Sequence, residues 1–230
     1  MTAAIGIMCK APRSGATKTR LAATIGAEAA ARLSACFLRD VAAAIEAVPA
    51  ELECRGFAVY APAGAEAELR ALFPSSFGLL LHVDSEFGNA LFGAARDLLA
   101  AGHDCVLLIN GDSPTLPSAL LAEAVVALRR PGDRMVLGPA SDGGYYLIGL
   151  KAPHRHVFTG IEWGTATVAK RTLERAAEIR LEAALLPEWY DVDDAETLGW
   201  LRDEIAGRSS RFRGGGPAPA TRRYLATMRE

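Results

Sequence analysis

The stretch Cys105-Val-Leu-Leu-Ile-Asn-Gly-Asp-Ser-Pro-Thr-Leu-Pro117 decides how the rest of the chain is read. Five apolar residues in a row, Cys105 to Ile109, form a strand covered on both faces, as in the middle of a parallel sheet. The loop that follows carries Asp112, and Pro117 is placed to open the next helix. An acid just past a buried strand stands where open α/β sheets gather their ligands, beyond the carboxyl ends of the strands. Gly-Asp-Ser-Pro is also good turn chemistry, so a plain turn is the alternative.

Working outward, strands and helices alternate. Strands are expected at 3–9, 56–61, 79–83, 135–137, 145–150 and 181–186. Helices are expected at 26–48, 66–73, 87–101, 117–129, 166–178 and 194–206. Apolar spacing sets the type, and Pro49, Pro62, Pro74 and Gly102 mark stops. This alternation predicts a three-layer α/β/α sandwich around a mostly parallel sheet with right-handed crossovers. The loops after Cys9, Tyr60, Ile109 and Leu137 are then the ones to inspect.

Composition narrows the classes. The 230 residues hold 25 Lys and Arg against 27 Asp and Glu, a formal net charge of −2, and half of them are hydrophobic. That suits one domain with a full core. It is too apolar for a disordered chain and too near neutral for a dedicated nucleic-acid binder. The richest apolar stretch, 119–128, is broken by Glu123 and too short for a bilayer span, and residues 1–9 lack the basic start of a signal peptide. A cytoplasmic protein with no membrane or nucleic-acid partner is expected. Cys9, Cys36, Cys54 and Cys105 form no close-spaced pair, so they read as small buried thiols rather than zinc ligands. His82, His103, His154 and His156 form no metal pattern, and the last two read as solvated. After Gly207 six arginines face one glutamate. Residues 1–206 are read as the domain and 207–230 as a basic, Gly/Pro-containing, solvated extension.

Two more segments carry chemistry. The loop Lys10-Ala-Pro-Arg-Ser-Gly-Ala-Thr-Lys-Thr-Arg-Leu21 presents Arg13, Lys18 and Arg20 with the hydroxyls of Ser14, Thr17 and Thr19 and one glycine, Gly15. Positive charge and backbone N–H groups suit a polyphosphate. It is not a Walker A loop, since Pro12 and Thr17 stand at the glycine positions, and no GxGxxG follows the strand. A solvated basic loop is the alternative. Farther on, Asp142-Gly143-Gly144 joins two strands. It reads either as a hairpin turn or as a close backbone approach to a ligand, with Asp142 accepting sugar hydroxyls. Asp191 and Asp193 share one side of an extended segment and could meet one Mg²⁺ or Mn²⁺ together with Asp112. Asp193 with Glu196 also fits a capping box for the last helix.

Lys10–Leu21, Asn110–Leu116, Gly138–Gly149, Phe158–Thr165 and Asp191–Leu198, in this order, resemble the nucleotide-diphospho-sugar transferase superfamily of GT-A fold. More closely they resemble the DUF2064, or "transferase 1", glycosyltransferase-like family. The resemblance implies that Arg13, Ser14, Gly15, Lys18 and Arg20 hold nucleotide phosphates. Asp112 would be the metal acid, completed by Asp191 and Asp193. Asp142, Gly143 and Gly144 would border the sugar or acceptor, with Trp163 and Thr165 on the acceptor side. Lys18, Asp112 and Asp142 would carry the chemistry. Three departures stand out: Lys-Ala-Pro replaces a glycine pair, Asn110 stands where a second acid is usual, and Phe87-Gly-Asn-Ala90 stands where Leu-Gly-x-Arg is expected. The implied function is metal-dependent transfer of a sugar from a nucleotide sugar to a small acceptor. Two alternatives stay open: nucleotidyl transfer from a nucleoside triphosphate with release of pyrophosphate, and a non-catalytic nucleotide-binding module.

Overall fold

A computed structural model describes residues 2–82, 86–208, 211–212 and 214–228. The strands are β1 (Ala3–Lys10), β2 (Cys54–Ala61), β3 (Gly78–Leu81), β4 (Cys105–Asn110), β5 (Arg134–Pro139), β6 (Tyr145–Leu150) and β7 (Glu182–Leu185). The α-helices are α1 (Thr19–Ile25), α2 (Ala27–Glu46), α3 (Glu66–Arg70), α4 (Phe87–Ala100), α5 (Ser118–Arg129), α6 (Val168–Glu178), α7 (Ala195–Ile205) and α8 (Pro219–Leu225).

β4, the strand the sequence marks as most deeply buried, is the middle of one seven-stranded sheet in the order β3-β2-β1-β4-β6-β5-β7. Its alternate side chains serve two cores, as a pleated strand requires. Leu107 and Ile109 pack with Leu33 and Phe37 of α2 and Leu121 and Val125 of α5. Val106 and Leu108 pack with Leu91, Ala94 and Leu98 of α4 and Ala176 of α6. Two apolar layers therefore sandwich the sheet, and the continuous apolar run is explained. All pairings are parallel except those of β6, which runs against both β4 and β5. The Ser141–Gly144 turn is the cause. Gly143 N–H donates to the Ala140 carbonyl at 3.0 Å, so β5 and β6 close as a hairpin and β6 must reverse.

The expected elements occur within a few residues of their predicted bounds, with three differences. The expected strand 79–83 ends at Leu81, and Val83 lies outside the described residues. The expected helix from 26 is preceded by a separate helix, α1. Gly26, at φ 85° and ψ 153°, breaks the two apart in a conformation that a glycine adopts at little cost.

The third difference corrects the solvated tail. Within the extension, α8 packs on α2. The buried carboxylate of Asp40 accepts from the Ala220 and Thr221 N–H groups at 2.9 and 2.8 Å, which satisfies orphan donors at the start of α8. Arg222 donates to the Ile205 carbonyl at 2.7 Å, and Arg208 pairs with Asp203. Part of the arginine excess is thus used to hold the tail on the more acidic body.

Candidate active site

At the carboxyl ends of β1, β2 and β4 lies a cavity of about 570 Å³. Its floor is formed by Met8–Lys10, Tyr60 and Ala61; Leu38 of α2 and Phe87 of α4 form walls, and residues 16–20 with Asp112 and Asp193 form one rim. Parallel strands starting at one sheet edge deliver all these ends to the same place, so the topology makes the site.

Lys18 is the centre of it. Its backbone is left-handed, at φ 52° and ψ 48°, just before α1. That conformation costs a side-chain-bearing residue roughly 1 kcal/mol, so other contacts must hold it. They do: the ammonium donates to the Val192 carbonyl at 2.8 Å and to Asp193 Oδ1 at 2.5 Å, and sits 2.8 Å from Asp112 Oδ1. Its side chain is only 5% exposed, and all three N–H donors have partners. Burial pulls its pKa down, but Asp112 and Asp193 more than reverse this and hold it above the ordinary lysine value. Lys18 is therefore charged. Arg20 takes the other oxygen of Asp193 at 2.7 Å from a largely exposed position.

The two acidic loops are locked to each other. Val192 N–H donates to the Asp112 carbonyl at 2.9 Å, and the buried Ser113 hydroxyl donates to the Tyr190 carbonyl at 2.8 Å. Asn110 has a role of its own, since its Oδ1 accepts from the Asp112 N–H at 3.3 Å and shapes the turn. Asp191 is half-buried beside this group. Burial first, then the charges of Asp193, Asp142 and Asp112, push its pKa up to about 7, with Lys18 opposing. Three carboxylates acting on a fourth mark this pocket edge as short of positive charge.

The structure thus brings Lys18, Arg20, Asp112 and Asp193 together, with Asp191 alongside. The other candidates do not line the cavity, although Asp142 is near enough for its charge to act on Asp191. Arg13 forks onto Glu68, with its closest contact at 2.5 Å, and does not line the cavity. Ser14 and Gly15 sit on an exposed turn outside it. Asp142 accepts from the Gly144 N–H at 2.8 Å, and the close approach permitted by the glycines is to the chain itself. A Cβ on Gly143, at φ 89°, would collide with the Ala166 carbonyl oxygen. The Thr165 hydroxyl is used within its own turn, bonded to the Glu162 carbonyl and Thr167 at 2.8 Å each. Trp163 reaches the cavity indirectly, edge-on to Phe87 at 5.0 Å. The capping box of α7 is built by Asp194 and Thr197, one residue beyond the expected Asp193 and Glu196. That shift leaves Asp193 free for the cations. His154 and His156, expected to be solvated, are partly exposed and hydrogen-bond to Asp133 and Glu178 at the surface.

Several cavity residues carried no sequence signal beyond their place at strand or helix ends. Tyr60 donates to Glu66 at 2.5 Å, and that bond, with burial, pushes its phenol up to about 12. Cys9 is likewise pushed up to about 12, by burial and then by Asp112, so it is an inert thiol rather than a nucleophile. His82 and Phe87 line the far side.

The pattern of one family, described as uncharacterized protein conserved in bacteria (DUF2064), matches residues 42–165. The chain belongs to the DUF2064 family. A solved candidate nucleotide-diphospho-sugar transferase from Desulfovibrio desulfuricans G20 is 30% identical, with a TM-score of 0.83 over 97% of this chain and 95% of that one. This likeness covers more of the chain than residues 42–165. A CMP:2-keto-3-deoxy-manno-octonic acid synthetase complexed with CTP superposes at TM-score 0.58, 11% identical, over 91% of this chain and 100% of that one. Glucosyl-3-phosphoglycerate synthase from Mycobacterium tuberculosis, with Mn²⁺, uridine diphosphate and phosphoglyceric acid, superposes at 0.51, 13% identical, over 87% and 73%. The last two share the fold. No curated protein matches the sequence. This DUF2064 chain therefore has the GT-A-like fold of nucleotide-sugar transferases and cytidylyltransferases. Where the resemblance predicts an arginine, it has Ala90, which lines the cavity and leaves that wall apolar.

Proposed function

We propose that this protein is a metal-assisted transferase acting on an activated nucleotide, and that it moves a sugar from a nucleoside diphosphate sugar to a small acceptor. The observation that carries this reading is the meeting of Lys18 with Asp112 and Asp193 at the ligand end of the central strands. A basic side chain pre-set between two acids can exchange them for phosphate oxygens, and the cavity beside it has room for a nucleotide.

The donor set fits a divalent ion that arrives with its nucleotide. Asp112 and Asp193 already converge on one cation, Lys18 Nζ. Among the described residues no three His, Cys, Asp or Glu side chains form a cage of their own. Mg²⁺ and Mn²⁺ suit such a half-site, bound through one or two carboxylates plus substrate phosphates. Asp112 and Asp193 would hold the ion, with Asp191 next to it, and when bound it supplies charge for the two phosphates. In the transfer, an acceptor hydroxyl attacks the anomeric carbon and loses its proton to solvent, the bond from that carbon to the β-phosphate oxygen breaks, and a nucleoside diphosphate leaves. Lys18 and Arg20 offset the charge that develops on the leaving oxygen. We assign Asp142 to the sugar or acceptor hydroxyls. Among the described residues no helix is long and apolar enough to cross a membrane, and all four cysteines are free. Free thiols accord with the reducing cytoplasm, where we place the reaction.

A second reading has its own support: nucleotidyl transfer from a nucleoside triphosphate to a phosphorylated small molecule. Lys18 and Arg20 place two cations on the rim for a triphosphate to meet, and the synthetase bound to CTP superposes somewhat better than the glycosyl enzyme. Phosphorus NMR of reaction mixtures separates the two. The protein is incubated with Mn²⁺ and either UDP- and GDP-sugars or the four nucleoside triphosphates, each with phosphoglycerate and other small phosphorylated or hydroxylated acceptors. Nucleoside diphosphate release supports the first reading, and pyrophosphate release replaces it with the second. Nucleotide binding without either product leaves a non-catalytic module.

A further inference from the structure

After α7, residues 211–212 and 214–218 lie against the two loops that carry the carboxylates. The Phe212 ring stacks on Tyr190 with centroids 4.8 Å apart and planes at 27°, and lies 5.4 Å from Trp189. Farther along, the Gly216 N–H donates to the Thr115 carbonyl at 2.7 Å. Tyr190 immediately precedes Asp191, and Thr115 lies in the loop of Asp112. Phe212 and Gly216 therefore touch both loops without lining the cavity. Between them, the Tyr190 and Thr115 hydroxyls both donate to Glu204 of α7. Arg211 covers Trp200 at 3.9 Å, and Trp200 meets Tyr190 edge-on. Downstream the segment is anchored by α8 through Asp40.

We propose that Phe212 is a positioning residue: it clamps the Tyr190 ring and so sets the separation of Asp112 from Asp191 and Asp193, the gap now filled by Lys18. The proposal rests on the reading of those carboxylates as the metal and phosphate end of a nucleotide site. The bonds that tie the loops, Ser113 to Tyr190 and Val192 to Asp112, are neutral and individually worth only about 1 kcal/mol. They hold a fixed spacing while the aromatic cover keeps water off them. The half-buried Phe212 ring against Tyr190 and a backbone bond from Gly216 to Thr115 supply that cover. A loop displaced by about 1 Å is enough to impair a constellation that binds phosphates and a metal together.

Phe212→Ala tests this against Phe212→Tyr, which keeps the ring. Two measurements are made on the full chain at 25 °C. In hydrogen exchange without ligand, Phe212→Ala is expected to speed the amides of residues 112–116 and 189–193 on the order of 10-fold, with those of β1 and β4 unchanged. In calorimetry with MnCl₂ and UDP or CTP as probes, the affinity is expected to fall on the order of 10-fold. Phe212→Tyr restores both. Unchanged exchange in the two loops, or equal acceleration through the sheet, overturns the clamp. Loosened loops with unchanged nucleotide affinity overturn its role in the site. If the wild-type protein binds no nucleotide with Mn²⁺, the functional reading fails, and the exchange data still decide the clamp. Should Phe212→Ala not fold, Asp40→Ala releases the anchor at α8 and is expected to loosen the same two loops.

Discussion

Lys18 shows how one residue couples conformation, burial and charge. Its left-handed backbone is held by three acceptors, and two of those acceptors are acids that need its charge. Replacing it with Met removes the shared partner and leaves Asp112 and Asp193 facing each other. Because both acids are partly exposed, the cost is discounted from that of a fully buried pair, to about 1–3 kcal/mol. Urea denaturation of Lys18→Met is expected to show that loss. Adding Asp112→Asn to it is expected to cost less than the sum of the two single changes, because the residues share one network. Gly143 gives a contrasting case. Gly143→Ala places a Cβ against the Ala166 carbonyl at a positive φ, and a loss of roughly 2 kcal/mol is expected in thermal unfolding. Nucleotide affinity of the folded fraction should stay as in the wild type, since Gly143 is off the cavity. The sequence marks both residues as special, Lys18 for phosphates and Gly143 for a turn or a ligand, while the structure shows two acids beside Lys18 and the chain itself against Gly143. For Gly143 two explanations of a glycine pair, ligand approach and self-approach, produce the same letters.

At the scale of elements, legibility followed locality. β4 and its loop were readable because a run of apolar residues and the acid after it lie within a dozen positions. The same holds for α2, α4 and α5, whose apolar spacing is dense. The cap of α7 stands one residue beyond the expected Asp193, since Asp193 and Asp194 can both cap and backbone angles decide between them. Asp194→Ala is expected to cost about 1 kcal/mol in urea denaturation, with no change in nucleotide binding. Asp193→Ala should do the reverse, weakening binding more than stability. α1 carries little sequence signal, because it is only seven residues long and Gly26 stands between it and the longer α2. β6 runs backward for a reason the sequence did contain, a Ser-Asp-Gly-Gly hairpin, whose consequence for the sheet order is visible only in three dimensions.

At the scale of the molecule, the parallel strands gather the first loop, the Asp112 loop and the Asp193 loop at one edge, although they are far apart in sequence. The order of motifs made this site expected, and the structure brings together Lys18, Arg20, Asp112 and Asp193. The C-terminal segment was not legible. Its Pro-Ala-Pro stretch has the composition of a linker, but Pro219 opens α8, and the acid that receives it, Asp40, is 180 residues away in sequence. Removing residues 208–230 uncovers α2 and the Trp189–Tyr190 face. Such a truncation is expected to melt several degrees lower and to unfold less cooperatively.

The most direct test of the central claim is calorimetric titration of a nucleoside diphosphate into wild-type protein and Asp112→Asn, each with and without Mn²⁺. The account predicts binding to the wild type that Mn²⁺ strengthens, and an Mn²⁺ effect largely abolished in Asp112→Asn. Binding that ignores both Mn²⁺ and Asp112 would contradict it, as would the absence of binding by any nucleotide.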